Sequence, residues 1–186
     1  MLYISGLVLF FIAHILPFKP DLRQKIVNQL GEKRYKLFFR LFILTCVALV
    51  VWGWNEFPNI YFYEPPIYMK QVHLGIMLFV AYFALVAEVP NNMKRFIKHP
   101  SLTAMKLWAL GHLLANGDLR SMILFISMLI FSVLAVIASN KRTQIKEHKP
   151  TPFSYDIGVV VASLLIYSTI MHFHGNLFGM PVAHYF

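Results

Sequence analysis

Eight histidines are the residues of this 186-residue chain with the widest chemical reach. A neutral imidazole can bond a neighbouring helix, relay a proton, or bind Zn, Cu or Fe through a ring nitrogen. His14 and His112 fall deepest inside apolar runs, and His73 lies near the entry of another. His172 and His174 are two residues apart, so on one helix they face about 200° apart and at most one points fully inward. His99 precedes Pro100 at the start of a run, where a helix-terminal role accounts for it. His148, among Lys146, Glu147 and Lys149, reads as a solvated loop residue, and His184 sits in the tail.

Other chemistries have little to draw on. The acids, Asp21, Glu32, Glu56, Glu64, Glu88, Asp118, Glu147 and Asp156, all fall at run ends or in loops. Paired-carboxylate catalysis and a carboxylate-bridged di-iron centre are therefore not expected. A single cysteine, Cys46, excludes a disulfide framework and any Cys-rich zinc or iron–sulfur site. Within an apolar run its thiol is expected to be inert. There is no H-E-x-x-H pattern and no Gly-rich phosphate loop. Haem asks only for one or two axial histidines and a large apolar cleft, which 17 Phe and 9 Met could line. The same residues also suit plain helix packing, and a buried histidine also serves as a helix–helix hydrogen bond.

The elements that carry these histidines are set by composition. The chain is 58% hydrophobic and 13% charged, against about 25% charged in soluble domains. A bilayer core of about 30 Å takes roughly 20 mainly apolar helical residues. Six runs qualify: Leu2 to Phe18, Leu37 to Trp54, Met69 to Val89, the shorter Leu102 to Ala115, Met122 to Ala138, and Ile157 to Phe173. The first has neither a basic lead nor a small-x-small site, so it is read as a span rather than a cleaved signal. The expectation is one all-α, polytopic transmembrane domain over 1–186, a bundle of about six helices with the fourth short.

Charge placement orients it. Lys19, Arg23, Lys25, Lys33, Arg34 and Lys36 follow the first run, Lys94, Arg95 and Lys98 the third, and Lys141, Arg142, Lys146 and Lys149 the fifth. By the positive-inside rule these loops are cytoplasmic and both termini lie outside. The formal net charge of +9 is thereby spent on loops facing anionic lipid, not on a nucleic-acid surface. Asn55 to Tyr68, with three prolines and the triplet Tyr61-Phe62-Tyr63, reads as an interfacial aromatic belt or as a lid on the outer side. Asn116-Gly117-Asp118 reads first as a helix stop with Asn or Gly in the left-handed position. Asn116 also lies four residues from His112, on the same face, where it would orient the imidazole.

The stretch from His99-Pro100 through Leu107-Trp108-Ala109-Leu110-Gly111-His112-Leu113-Leu114-Ala115-Asn116-Gly117-Asp118 resembles the NnrU family. These are bacterial membrane proteins named for a link to nitrite and nitric oxide reduction, with the plant 15-cis-zeta-carotene isomerase as a distant branch. Gly6-Leu7-Val8-Leu9-Phe10, His14-Ile15-Leu16-Pro17, Leu22-Arg23, Leu30-Gly31-Glu32 and His174 with Leu177-Phe178-Gly179-Met180-Pro181 extend the resemblance along nearly the whole chain. The isomerase branch holds haem b, and the resemblance implies His14 and His112 as axial ligands. It places Trp108, Asn116, His73, His99 and His174 around the cofactor, with Lys106, Arg95 and Lys98 as propionate partners. A larger offset between His14 and His112 would favour His73 or His174 as the partner of His112. Ala104 stands where the family usually has Gly.

The resemblance implies a bacterial inner-membrane protein with a redox, sensing or accessory role in nitrite and nitric oxide metabolism, partnered by lipid, haem and a nitrogen-oxide reductase. A haem-dependent cis–trans isomerase of a polyene lipid is the second expectation. An isoprenylcysteine-type methyltransferase is a minor third, since His99-Pro100 is present but Lys98, Leu102 and Ala104 replace the Arg, Tyr and Gly of its motif. A cofactor-free accessory subunit is the fourth.

Overall fold

The computed structural model describes residues 1–16, 19–142 and 149–178. His148, His184 and the segment from Gly179 onward lie outside the described residues, as does Pro17. The protein is all-α: α1 (Leu2–Ile15), α2 (Pro20–Leu30), α3 (Glu32–Trp54), α4 (Ile67–Glu88), α5 (Pro100–Ala115), α6 (Leu119–Arg142) and α7 (Phe153–Phe178), with a 3₁₀ turn at Asn92–Arg95. Backbone contacts group these into two units, Met1–Ile60 and Tyr61–Phe186.

Among the described residues, four helices, α3, α4, α6 and α7, are long and apolar enough to cross a membrane. A fifth span arises if α1 and α2 are taken together as one bent pair. The six spans expected from the sequence therefore become four or five by length. The 14 residues of α1 and 16 of α5 rise only about 21 and 24 Å at 1.5 Å per residue, short of a bilayer core of about 30 Å.

In the first unit α1 packs on α3 at unusually close range. A Cβ on Gly6 would stand 2.9 Å from the Cys46 carbonyl oxygen, and one on Gly53 would collide with the Tyr3 backbone. Small residues that admit a facing backbone are a membrane device, because dispersion rather than water exclusion drives helix association there. Tyr3 is fully buried, edge-on to Trp54 at 5.8 Å and tilted on Phe57 at 4.8 Å. Cys46 is a free, buried thiol in this seam. The basic stretch after α1, read from sequence as loop, is largely the helix α2. Pro20 supplies a preset first turn and Asp21 sits at the positive end. Gly31, at φ 79°, makes the break that any side chain would strain. Glu32 then accepts from Arg23 at 2.9 Å and Lys36 at 3.1 Å.

In the second unit α5 runs back alongside α4. The Phe62 amide donates to the Gly117 carbonyl at 2.9 Å, and the Tyr63 hydroxyl donates to the Leu113 carbonyl at 2.9 Å. The end of α5 is thus level with the approach to α4. At the opposite end His99 bonds Asn140 at 2.9 Å, so α5 begins where α6 finishes. Although short, α5 runs from the end of the unit that holds Asn140 to the end that holds Tyr63. α7 is tied to α4 midway by the Tyr167 hydroxyl, which donates to the Leu74 carbonyl at 3.1 Å. At the α4–α7 junction Asp156 accepts from both the main-chain amide of Asn92 (2.9 Å) and its side-chain amide (2.5 Å).

Candidate cofactor-binding site

His112 lies one turn before the end of α5, where its ring is held by aromatic neighbours. Phe125 of α6 stacks on it at 4.5 Å with planes 22° apart. Trp108, one turn earlier, is at 5.2 Å and is itself edge-on to Phe125 at 4.9 Å. The edge of His73 from α4 meets it at 4.6 Å and 74°. His112 Nδ1 lies 2.8 Å from the Trp108 carbonyl oxygen. A carbonyl only accepts, so Nδ1 carries the proton and the neutral ring has its lone pair on Nε2.

His14 repeats that arrangement in the other unit. Its Nδ1 donates to the Phe10 carbonyl at 2.8 Å, and its ring is flanked by Phe10 at 4.1 Å and Phe39 at 5.8 Å. Both rings therefore share one tautomer, fixed by the preceding helical turn. A metal-binding histidine typically donates its second nitrogen in this way, which sets ring orientation and raises basicity.

His73 is more buried than its place near a run entry suggested, at 6% exposure. Position along a helix axis is not depth inside a bundle: this side chain faces α5. The contact depends on Gly111, where a Cβ would stand 2.6 Å from Met77 Cε and 3.1 Å from His73 Nδ1. His174 on α7 lies within electrostatic reach of both His73 and His112. Of the pair on α7, His174 is half-buried and His172 exposed, as the two-residue spacing required. His73, His112 and His174 thus gather in the second unit. Among the described residues no three His, Cys, Asp or Glu side chains form a cage for a bare metal ion.

The Asn116-Gly117-Asp118 turn closes α5 without a left-handed residue, contrary to the expectation for a helix stop. Asn116 is extended, at φ −128° and ψ 128°, and Gly31 is the only residue with positive φ among those described. The turn instead serves close approach: a Cβ on Gly117 would collide with the Tyr63 carbonyl. The Asn116 side-chain amide donates to the His112 carbonyl at 2.8 Å, not to the ring. Asp118 Oδ1 accepts from the Ser121 amide at 3.0 Å, capping α6, and the buried carboxylate pairs with the part-buried Arg120 at 3.6 Å. Ala104, where the family usually has Gly, is buried in the α5 seam.

Sequence reasoning did not single out Phe125 or Tyr63 as partners of this helix end. Phe125 is one apolar residue in a clean run, without a signal of its own. Tyr63 was visible only as part of an aromatic loop. Its hydroxyl bonds to α5 carbonyls, while Tyr61 and Phe62 stay 63% and 61% exposed, as belt residues would be.

Long apolar helices joined by charged loops define a polytopic α-helical membrane protein. The chain matches the family described as NnrU protein over residues 2–182 and belongs to that family. No curated protein and no solved structure matches it.

Proposed function

We propose that this chain is a haem b-binding membrane protein, in which His14 and His112 would hold the haem iron, and that it serves nitrite and nitric oxide metabolism in the bacterial inner membrane. The observation that carries the reading is the shared geometry of the two rings. Each has Nδ1 bonded to the carbonyl four residues earlier, which leaves Nε2 as the donor atom a metal would take. The donor set fits haem iron, which needs no third protein ligand. Bound there, haem would supply one-electron redox chemistry or, on loss of one ligand, an open position for a small gas.

The chain's own residues orient and shield. Phe125 and Trp108 hold the His112 ring, and Phe10 and Phe39 flank His14. Asn116 fixes the last turn of α5 by its bond to the His112 carbonyl. A variant of this reading takes His73 or His174 as the second ligand in place of His14; for His73 the 4.6 Å ring contact with His112 would have to open to admit the haem. With the basic loops inside and an even number of crossings, both termini would lie outside.

Absorption spectra of the detergent-purified protein, oxidised and dithionite-reduced, test the site. Stoichiometric six-coordinate low-spin haem is expected, lost or converted to high spin in both His14→Ala and His112→Ala. If His73→Ala disturbs coordination and His14→Ala does not, the second ligand is His73. A colourless protein from haem-replete cells overturns the proposal. Nitric oxide binding against polyene isomerisation by the reduced protein then separates the nitrogen-oxide role from an isomerase.

A further inference from the structure

The junction of α4 and α7 carries a second feature, at the end of the unit away from Tyr63. An apolar trough of about 420 Å³ runs between the last turn of α4 and the first turns of α7, lined by Leu85, Val89, Pro90, Tyr155, Gly158 and Val159 among others. Pro90 also lines an adjoining polar pocket of about 280 Å³, with Glu88, Asn91, Lys94, Lys149 and Thr151. The first is floored by Gly158, above which a Cβ would meet nothing within 4 Å. In the second, Thr151 Oγ1 is buried and makes no hydrogen bond among the described residues, a state that usually signals a further partner.

We propose that this continuous groove holds one anionic glycerophospholipid, its phosphate between Lys94 and Lys149 and an acyl chain in the trough over Gly158. Three observations converge on a lipid. The trough lies on two helices that qualify as membrane spans, and its α7 wall from Ser154 to Ala162 runs about 12 Å at 1.5 Å per residue. Phe96 and Phe153, 80% and 74% exposed, project at the same end, as rings do at headgroup depth. Among the described residues that line the polar pocket, Lys94 and Lys149 stand against one acid, Glu88. Basic pockets between spans on the cytoplasmic side are where anionic headgroups bind. The Thr151 hydroxyl gains an acceptor on rotation toward the phosphate.

The test is native mass spectrometry of the full-length protein in detergent, titrated with phosphatidylglycerol or with phosphatidylcholine of the same acyl chains. One retained phosphatidylglycerol is expected, at least ten-fold tighter than phosphatidylcholine. Lys94→Gln with Lys149→Gln should abolish that preference, and Gly158→Leu should weaken both lipids by filling the trough. Unchanged helical circular dichroism and unfolding temperature show that each variant folds. Equal retention of the two lipids by the wild type overturns the proposal, as does full retention by the lysine double variant. Inorganic phosphate that displaces the lipid at equal concentration would also overturn it, since the trough would then contribute nothing.

Discussion

The His73 and His112 rings meet edge to face, their centroids 4.6 Å apart across the α4–α5 seam. The contact needs Gly111, which lets the two helices close over the imidazole pair. One face of His112 is covered by Phe125 and its Nδ1 is committed to the Trp108 carbonyl. Ring stacking and the Nδ1 bond both leave Nε2, which lies in the ring plane, as the chemically available atom. The site is thus a ring clamped in orientation before any ligand arrives, so less ordering is required on binding.

Phe125→Ala should release that clamp. Loss of a buried Phe costs about 3–5 kcal/mol in a packed core, and a loss in that range is expected here because Phe125 is enclosed by Trp108 and His112. The measurement is thermal unfolding in detergent, together with the low-spin electron paramagnetic resonance signal of the haem proposed for this site. The resonance should broaden as the His112 ring gains freedom. Phe125→Leu should keep most of the stability and still broaden the signal, separating orientation from folding.

Gly117→Ala addresses the turn. The added methyl would collide with the Tyr63 carbonyl, and Phe62 and Tyr63 are the residues that tie the loop to the end of α5. A loss of about 2–3 kcal/mol is expected, near the top of the usual range for single substitutions. Gly75→Ala is the control, since a Cβ there meets nothing within 4 Å. It should leave the unfolding temperature unchanged or slightly raised. Equal effects of the two substitutions would mean that the loop is not held by this contact.

The membrane class and most helix positions were legible because lipid imposes a simple rule: long apolar stretches, charges in the loops. What escaped were features that depend on which residues meet. The α2 helix was missed because its polar composition reads as loop, although Pro20 and Gly31 mark its two ends. The burial of His73 against α5 was not legible, because the sequence shows distance along an axis but not which face turns inward. Gly117 was assigned to the right turn for the wrong reason, since a glycine needed for backbone approach looks the same in sequence as one needed for positive φ. The contact of His112 with Phe125 could not be read at all, because any of several apolar residues on α6 would have fitted the pattern.

Asp156→Asn should loosen the α4–α7 junction. The carboxylate accepts from both amides of Asn92, and Asn92 also bonds both polar groups of the Thr151 main chain. An asparagine can keep one acceptor, but its NH₂ would then face the NH₂ of Asn92. The expected cost is about 1–3 kcal/mol, that of a part-buried donor left unsatisfied. Limited proteolysis should show faster cleavage around Lys149 and Thr151. Asn92→Asp, which sets two carboxylates against each other, should be worse, and restoring one amide in Asn92→Asp with Asp156→Asn should recover part of the loss.

Orientation is open to a chemical test because Cys46 is the only cysteine and is fully buried. Cys46→Ala gives a background without thiols, on which single exposed positions are labelled with a membrane-impermeant maleimide. Glu64 belongs to the loop that is tied to the end of α5, whereas Lys98 immediately precedes α5. α4 separates these two ends, and the basic residues cluster at the Lys98 end. Glu64→Cys should therefore label in intact cells and Lys98→Cys only after permeabilisation. Lys141→Cys, at the far end of α6, should behave like Lys98→Cys, because His99 and Asn140 are bonded at 2.9 Å. Labelling of Lys98→Cys from outside would invert the topology and move the basic groove between α4 and α7 to the outer leaflet. Protection of Glu64→Cys and Lys98→Cys alike in intact cells would mean instead that α4 does not cross the membrane, despite its length.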